Sequence, residues 1–383
     1  MLAFFGPITG PVAAAPITLV CLDLGRAVDA CRAGAERFAE GSGHEVRVVA
    51  ADATGRRSLE RLLALFSVDS PSVDVIQFAD GWAPALADHL TTVPAEDAIP
   101  PSLESARVRG RLVGIPHHLA VTVVFLRNDV VGGPVSDWSA LKDQLLKAPA
   151  DGTSGLSFGA ADPALFPFFV DWLNGAGTRL GDREGVAAAL TALQDVFGAV
   201  AVPGVASLGV RDAVAEFTDG NSAALVTRST RVGDVRRSDV ADRVAPAQRV
   251  SVGEAQAPVL VSTWHLGVSR HSAEQEAALA LATFLTTEAE QRKAAIAFGL
   301  APTRAALYED AAVLRDRPVF SEIARLLPAM VPPPLTRFGA NYLDTSDAVS
   351  EAVRGFLRGE MDAGAAASAI VRAVRRGERV GVD

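Results

Sequence analysis

Several residue types are scarce in these 383 residues. There are only two cysteines, so a cysteine-rich disulfide scaffold and a cysteine-based metal knuckle are both excluded. Tyrosine also occurs only twice, and aromatic residues make up 6% of the chain. Positive charge is in deficit: 36 Lys and Arg face 45 Asp and Glu, for a net charge of -9. That balance argues against a broad basic surface for nucleic acid. No apolar run approaches the length needed to span a bilayer. A P-loop, an H-E-x-x-H pair, a dinucleotide fingerprint and a helix-turn-helix signature are all missing, so neither a cofactor nor a metal is implied. What remains is an ordinary globular balance, 49% apolar and 21% charged. The length suits two or three domains or lobes with substantial cores.

Residues 1–15, MLAFFGPITGPVAAA, are apolar and end in small side chains. They read as the back half of a secretory signal peptide, with Val12-Ala13-Ala14 as the cleavage site and the basic leading region lacking. The competing reading is an apolar arm packed on the protein. Cys21 closes the first predicted strand and Cys31 lies on the first predicted helix. The residues leave open a disulfide, as an export compartment allows, or two buried thiols.

Strands and helices then alternate. Ile17–Cys21, Val46–Ala50 and Asp74–Phe78 read as buried strands. Ala27–Glu40, stopped by Gly41, and Ser58–Phe66 read as helices. This rhythm predicts βαβ units and a largely parallel sheet. Asp80-Gly81-Trp82 follows the third strand directly, and ligands of open α/β sheets bind beyond strand carboxyl ends. Trp82 is therefore either a stacking surface or a core ring. His117-His118 cannot share a metal if they alternate on a strand, although one of them can face a cleft. Gly155-Leu156-Ser157-Phe158-Gly159 matches the G-x-S-x-G nucleophile elbow, with partners in suitable order such as Asp234 and His265, but no oxyanion-hole sequence accompanies it. Phe166, Phe168, Phe169 and Trp172 predict a buried helix over Ala164–Gly175. Helices are also expected over Trp138–Leu146, Glu184–Phe197, Arg211–Thr218, Thr345–Leu357 and Ala363–Arg375, and a strand over Ala223–Thr227.

Trp264 to Tyr308 carries the densest set of signals. A short strand ends at Gly267-Val268-Ser269. Two helices follow, with capping boxes at Ser272/Gln275 and Thr287/Glu290. The second helix stops at Gly299, which suits a left-handed C-terminal residue. With Leu300-Ala301-Pro302-Thr303-Arg304 and Tyr308, the stretch resembles the pattern "GGW-x-LGIS … EAA-x-x-FL … G-x-x-P-T-R-x-x-L-Y" of extracellular solute-binding proteins of ABC importers, sugar-binding branch. Asp74-Val-Ile-Gln … Trp82-x-Pro84, Arg109–Pro116 and Phe125–Asp129 match further motifs of that family.

The resemblance implies an α/β, two-lobed periplasmic binding protein fold of type II, each lobe a mainly parallel sheet flanked by helices. Lobe one would take residues 16–118 and 264–308, and lobe two 119–263 and 309–383. The expected role is capture of a small solute in the cleft and delivery to the transmembrane permease subunits, by an exported, periplasmic, monomeric protein without enzymatic activity. A binding protein turned sensor or accessory factor is the alternative, and a serine hydrolase through Ser157 a remote one. The resemblance also favours pairing of Cys21 with Cys31.

Sugar anchors of the family are missing in this chain. Its acidic or aspartate positions fall at Ala27, Ala79 and Ala120, its Arg-Asn-Trp is replaced around Thr227-Arg228-Ser229, and a late arginine falls at Pro333. Lost charge-assisted bonds cost a polyol roughly 1.5–3 kcal/mol each. The expected ligand is therefore a sugar-like or non-standard solute rather than an ordinary disaccharide, and a less hydroxylated, anionic solute is the hypothesis these losses motivate. Its candidate contacts are Trp82, Trp264, Asp80, Arg26, His117, His118, Arg228 and His265.

Overall fold

The computed structural model describes residues 15–52, 56–94, 97–133, 135–148, 153, 155–161, 163–245, 248–252 and 257–380. The expected signal segment lies outside these residues, apart from Ala15.

The strands of the two main sheets are β1 (Ile17–Leu22), β2 (Val46–Ala51), β3 (Val75–Ala79), β4 (Ile115–Ala120), β5 (Thr122–Leu126), β6 (Leu156–Phe158), β7 (Ala224–Arg228) and β8 (Ser262–Val268). The longer helices are α1 (Ala27–Ser42), α2 (Arg56–Phe66), α3 (Trp138–Lys147), α4 (Leu165–Gly175), α5 (Arg183–Val200), α6 (Val210–Thr218), α7 (Gln275–Leu285), α8 (Glu288–Phe298), α9 (Val319–Leu326), α10 (Tyr342–Leu357) and α11 (Ala363–Val380).

One sheet has the order β2-β1-β3-β8-β4 and the other β5-β7-β6. Every residue of β1 is buried, as expected for a strand covered on both faces, whereas the edge strand β2 alternates with solvent. The sheets are mixed rather than mainly parallel. β1 pairs in parallel with β2 and β3, but β8 runs antiparallel to β3 and β4, and β5 antiparallel to β7. The cause is topological. β8 returns from the side of the second sheet, so it enters between β3 and β4 and runs against both.

The chain leaves the first sheet after Ala120 and joins the second at Thr122, with only Val121 between. A buried apolar seam gathers Leu119, Val121 and Val123 with Val261, Phe320 and Ile323 and holds this junction together. α10 and α11 pack on each other and on α5, behind the second sheet.

Local signals held at some places and failed at others. Asp137 caps α3 by accepting the Ala140 N–H (2.9 Å), and Thr287 caps α8 through the Glu290 N–H. Gly299 terminates α8 in the left-handed region. Helix α1, however, runs through Gly41 and stops at Gly43, where φ is 76°. The Ser272/Gln275 box is not formed. The Ser272 hydroxyl instead donates to Asp74, whose other carboxylate oxygen accepts the Thr18 N–H, and α7 begins three residues later at Gln275. Cys21 and Cys31 are joined by a disulfide that ties β1 to α1, with Cα atoms 6.7 Å apart.

Candidate functional site

A cavity of about 200 Å³ lies where the two sheets face each other. The alternation of strands and turns determines what reaches it. β3 ends at Ala79, and the following turn, Asp80–Trp82, delivers Asp80 and Trp82. β8 begins beside it, because Trp264 is paired with Ala79, so Ser262 and Trp264 enter the same wall. From the other lobe come Arg228 at the end of β7 and Thr230 just beyond it, Phe166 from the first turn of α4, and Tyr342 and Ser346 from the start of α10.

Asp80 is buried, and desolvation pushes its carboxyl up to about 6. The N–H groups of Thr263 (2.9 Å) and Gly81 (2.7 Å) and the charge of Arg228 oppose that rise. Arg228 donates to the Thr122 hydroxyl (3.0 Å) and to the Ala120 carbonyl, which locks its guanidinium at the junction between the sheets. Burial lowers its pKa, while the carboxylates of Asp171 and Asp80 hold it charged. Acceptor and donor thus sit in one buried site, each anchored by backbone, and such preorganised groups bind hydroxyls without first having to reorganise. Among the described residues, the hydroxyls of Thr230, Ser262 and Tyr342 line the cavity with no hydrogen-bond partner in the protein.

Trp82 is a core ring that also lines the cavity. Its ring packs with Phe78, Leu86 and Leu90 in the core and still faces the cavity. Trp264 is backed by His118, whose ring lies parallel to it at 4.9 Å between centroids.

Four of the expected contact residues do not line the cavity. Arg26 is ion-paired with Asp29 and lies over the Phe298 ring at 5.3 Å. His265 is fully buried, with Nε2 2.9 Å from the Ser102 carbonyl and its ring on Phe78. His117 and His118 do not alternate across the sheet. The register of β4 against β8 shifts between Trp264 and His265, and this bulge brings the two rings edge to edge. The Gln77 amide and the His118 ring both converge on His117 Nδ1, at 3.0 Å each. Burial lowers the pKa of His117 and of His265 to about 4, and that of His118 further below its usual value, so all three are neutral at physiological pH. Among the described residues no group of three His, Cys, Asp or Glu is placed to hold a metal.

The nucleophile-elbow match fails on geometry. Ser157 is fully buried in β6, donates to the Ala224 carbonyl (3.3 Å) and accepts from the Ser222 hydroxyl (3.0 Å). His265 lies in the other sheet.

Phe166 and Tyr342 were missed from sequence as site residues. The aromatic cluster around Phe166 did signal a buried helix, and the first turn of that helix reaches the cleft. Tyr342 gave no local signal, because its position depends on how the C-terminal helices fold back.

The model of a family described as "Bacterial extracellular solute-binding protein" matches residues 33–319. A "Probable ABC transporter-binding protein" of Deinococcus radiodurans is 25% identical over 374 residues, covering 90% of this chain and 89% of its own length. Maltose-bound MalE3 of T. maritima superposes with a TM-score of 0.84 at 22% identity, covering 95% of this chain and all of its own. An ABC transporter solute-binding protein from Thermotoga lettingae TMO, bound to α-D-tagatose, superposes with a TM-score of 0.82 at 16% identity, over 95% of this chain and 100% of its own. The two-lobed α/β architecture is that of these solved structures, and the chain is a member of the bacterial extracellular solute-binding protein family.

Proposed function

We propose that this protein is the exported receptor of an ABC importer, a monomer that captures a small, neutral, polyhydroxylated solute between its lobes and presents the closed form to the permease. The observation that carries this reading is the site itself: Trp82 and Trp264 line the cavity beside Asp80 and Arg228, each held by backbone. Aromatic faces suit the apolar side of a sugar or polyol, and fixed charged groups suit its hydroxyls. Both similar solved structures hold sugars, maltose in one and tagatose in the other.

The anionic ligand expected from sequence has little to support it. Three of the five cationic candidates are neutral histidines, and Arg26 is paired away from the cavity. Of the arginines that line the cavity, Arg56 is held by Asp344 and Asp347, Arg231 by Asp234, and Arg228 faces two carboxylates. An anion entering this site would have to compete with carboxylates already in place.

In the cycle we propose, solute enters an open cleft, rests on the indoles of the first lobe, and gains contacts to Arg228, Phe166 and Tyr342 as the second lobe closes. Closure is favoured only by the contacts made in the closed form. Titration calorimetry of the full chain against neutral sugars, polyols, carboxylates and phosphates tests the reading. Saturable binding is expected among the neutral hydroxylated compounds, and tight binding confined to anions would refute it.

A further inference from the structure

The lobes touch at two seams on the rim of the cavity, and both seams depend on a glycine of the first lobe. At one seam Gly25, with φ at 53°, lies under the Thr230 carbonyl so closely that a Cβ there would come within 2.8 Å of it. The adjacent Asp23 is ion-paired with Arg211, next to the cavity residue Val210. At the other seam Gly81 lies against the Tyr342 ring, where a Cβ would come within 2.6 Å. Beside it Arg56 of α2 bridges to Asp344 and Asp347 of α10, at 2.7 Å each. Leu24, Thr230, Gly81, Tyr342, Arg56 and Asp347 are all wall residues of the cavity, so the seams are its walls.

The cavity, about 200 Å³, falls below the roughly 300–1,000 Å³ usual for small-molecule pockets. A cavity of this size suits a single sugar ring, or an open-chain polyol of similar size, better than two linked rings. The walls are also held differently. Tyr342 is wedged against Phe166, with centroids 5.7 Å apart and rings nearly perpendicular, so the ring cannot swing aside without disturbing α4.

From these contacts we infer that the closed cleft is a single-ring site, in which Tyr342 against Gly81 and Thr230 against Gly25 set the length of the ligand and exclude a disaccharide. The inference rests on the neutral, hydroxylated solute proposed above and deepens it to a size class. Tyr342 is the specificity-determining residue, and the Arg56 bridge to α10 holds it in place.

The test is calorimetry of the full chain with D-glucose, ribitol and maltose, repeated on Tyr342→Ala and Arg56→Ala. The wild type is expected to bind glucose or ribitol more tightly than maltose by about ten-fold or more, the scale at which a mismatched pocket discriminates. Tyr342→Ala is expected to narrow or reverse that ratio. Arg56 is partly exposed and outside the apolar core, so Arg56→Ala keeps the comparison open if Tyr342→Ala misfolds; it should shift the ratio in the same direction. Maltose binding as tight as that of the smaller compounds in the wild type, or a ratio unmoved in both folded variants, overturns the size inference and leaves the hydroxylated-solute reading standing. Binding of none of the three overturns both.

Discussion

Asp80 has both carboxylate oxygens occupied by backbone N–H groups and is still pushed up to about 6, because burial outweighs those bonds. The sign of its effect follows from linkage. The folded state holds this proton more tightly than the unfolded chain, so ionised Asp80 costs stability above pH 6, and the cost fades as pH falls toward the unfolded value near 4. Binding runs the other way, because a ligand hydroxyl donates more strongly to the carboxylate than to the acid. Affinity for a neutral hydroxylated ligand should therefore fall as pH drops from 7 to 5, while the thermal midpoint of the empty protein gains from protonation. Asp171 is also raised to about 6, but it is not among the cavity residues. Asp80→Asn separates the two: calorimetry across this range should show a flat affinity in the variant. A slope that persists in Asp80→Asn would place the titration elsewhere.

At the scale of elements, the disulfide has a consequence distinct from the cleft. It closes a short loop between β1 and α1, with a sequence separation of 10. Loop closure of that length stabilises by roughly 2–3 kcal/mol. Urea unfolding with and without reductant should show a loss of that order in the midpoint-derived stability. Coincident curves would mean that the packing of Cys21 and Cys31 in the core already does the same work. The misread capping box at Ser272 belongs to the same scale. Its hydroxyl serves both ends at once: it accepts the local Glu274 N–H (3.0 Å) and donates to Asp74, which ties β1 to the start of α7 through two hydrogen bonds.

Across the whole molecule, the proposed closure depends on backbone approach. A side chain at position 25 would meet the Thr230 carbonyl, and the positive φ of Gly25 disfavours any Cβ there. Gly25→Val should leave each lobe folded and keep the cleft from closing. Small-angle scattering should then show compaction with ligand in the wild type and none in the variant, with weakened binding. Equal compaction would show that the seam yields. Single-residue links between sheets, such as Val121, suit this motion, because they change direction without parting the apolar seam around them.

The alternation of strands and helices, the strand-end placement of Asp80 and Trp82, and the return segment through Trp264 were legible in the sequence, because each depends on short-range periodicity, caps and motif order. Those features determined the two-lobed fold and one wall of the cleft. The other wall was not legible. Phe166 and Tyr342 reach the cavity only because α4 and α10 cross over the second sheet, and their neighbours in sequence say nothing of that. The histidines misled for a related reason. A bulge between β4 and β8 turned His117 and His118 toward each other and out of the cavity wall, and burial left them neutral. Tertiary structure alone decided the partners of Arg56, because Asp344 and Asp347 lie far along the chain, whereas Arg26 and Arg231 pair with Asp29 and Asp234 three residues on.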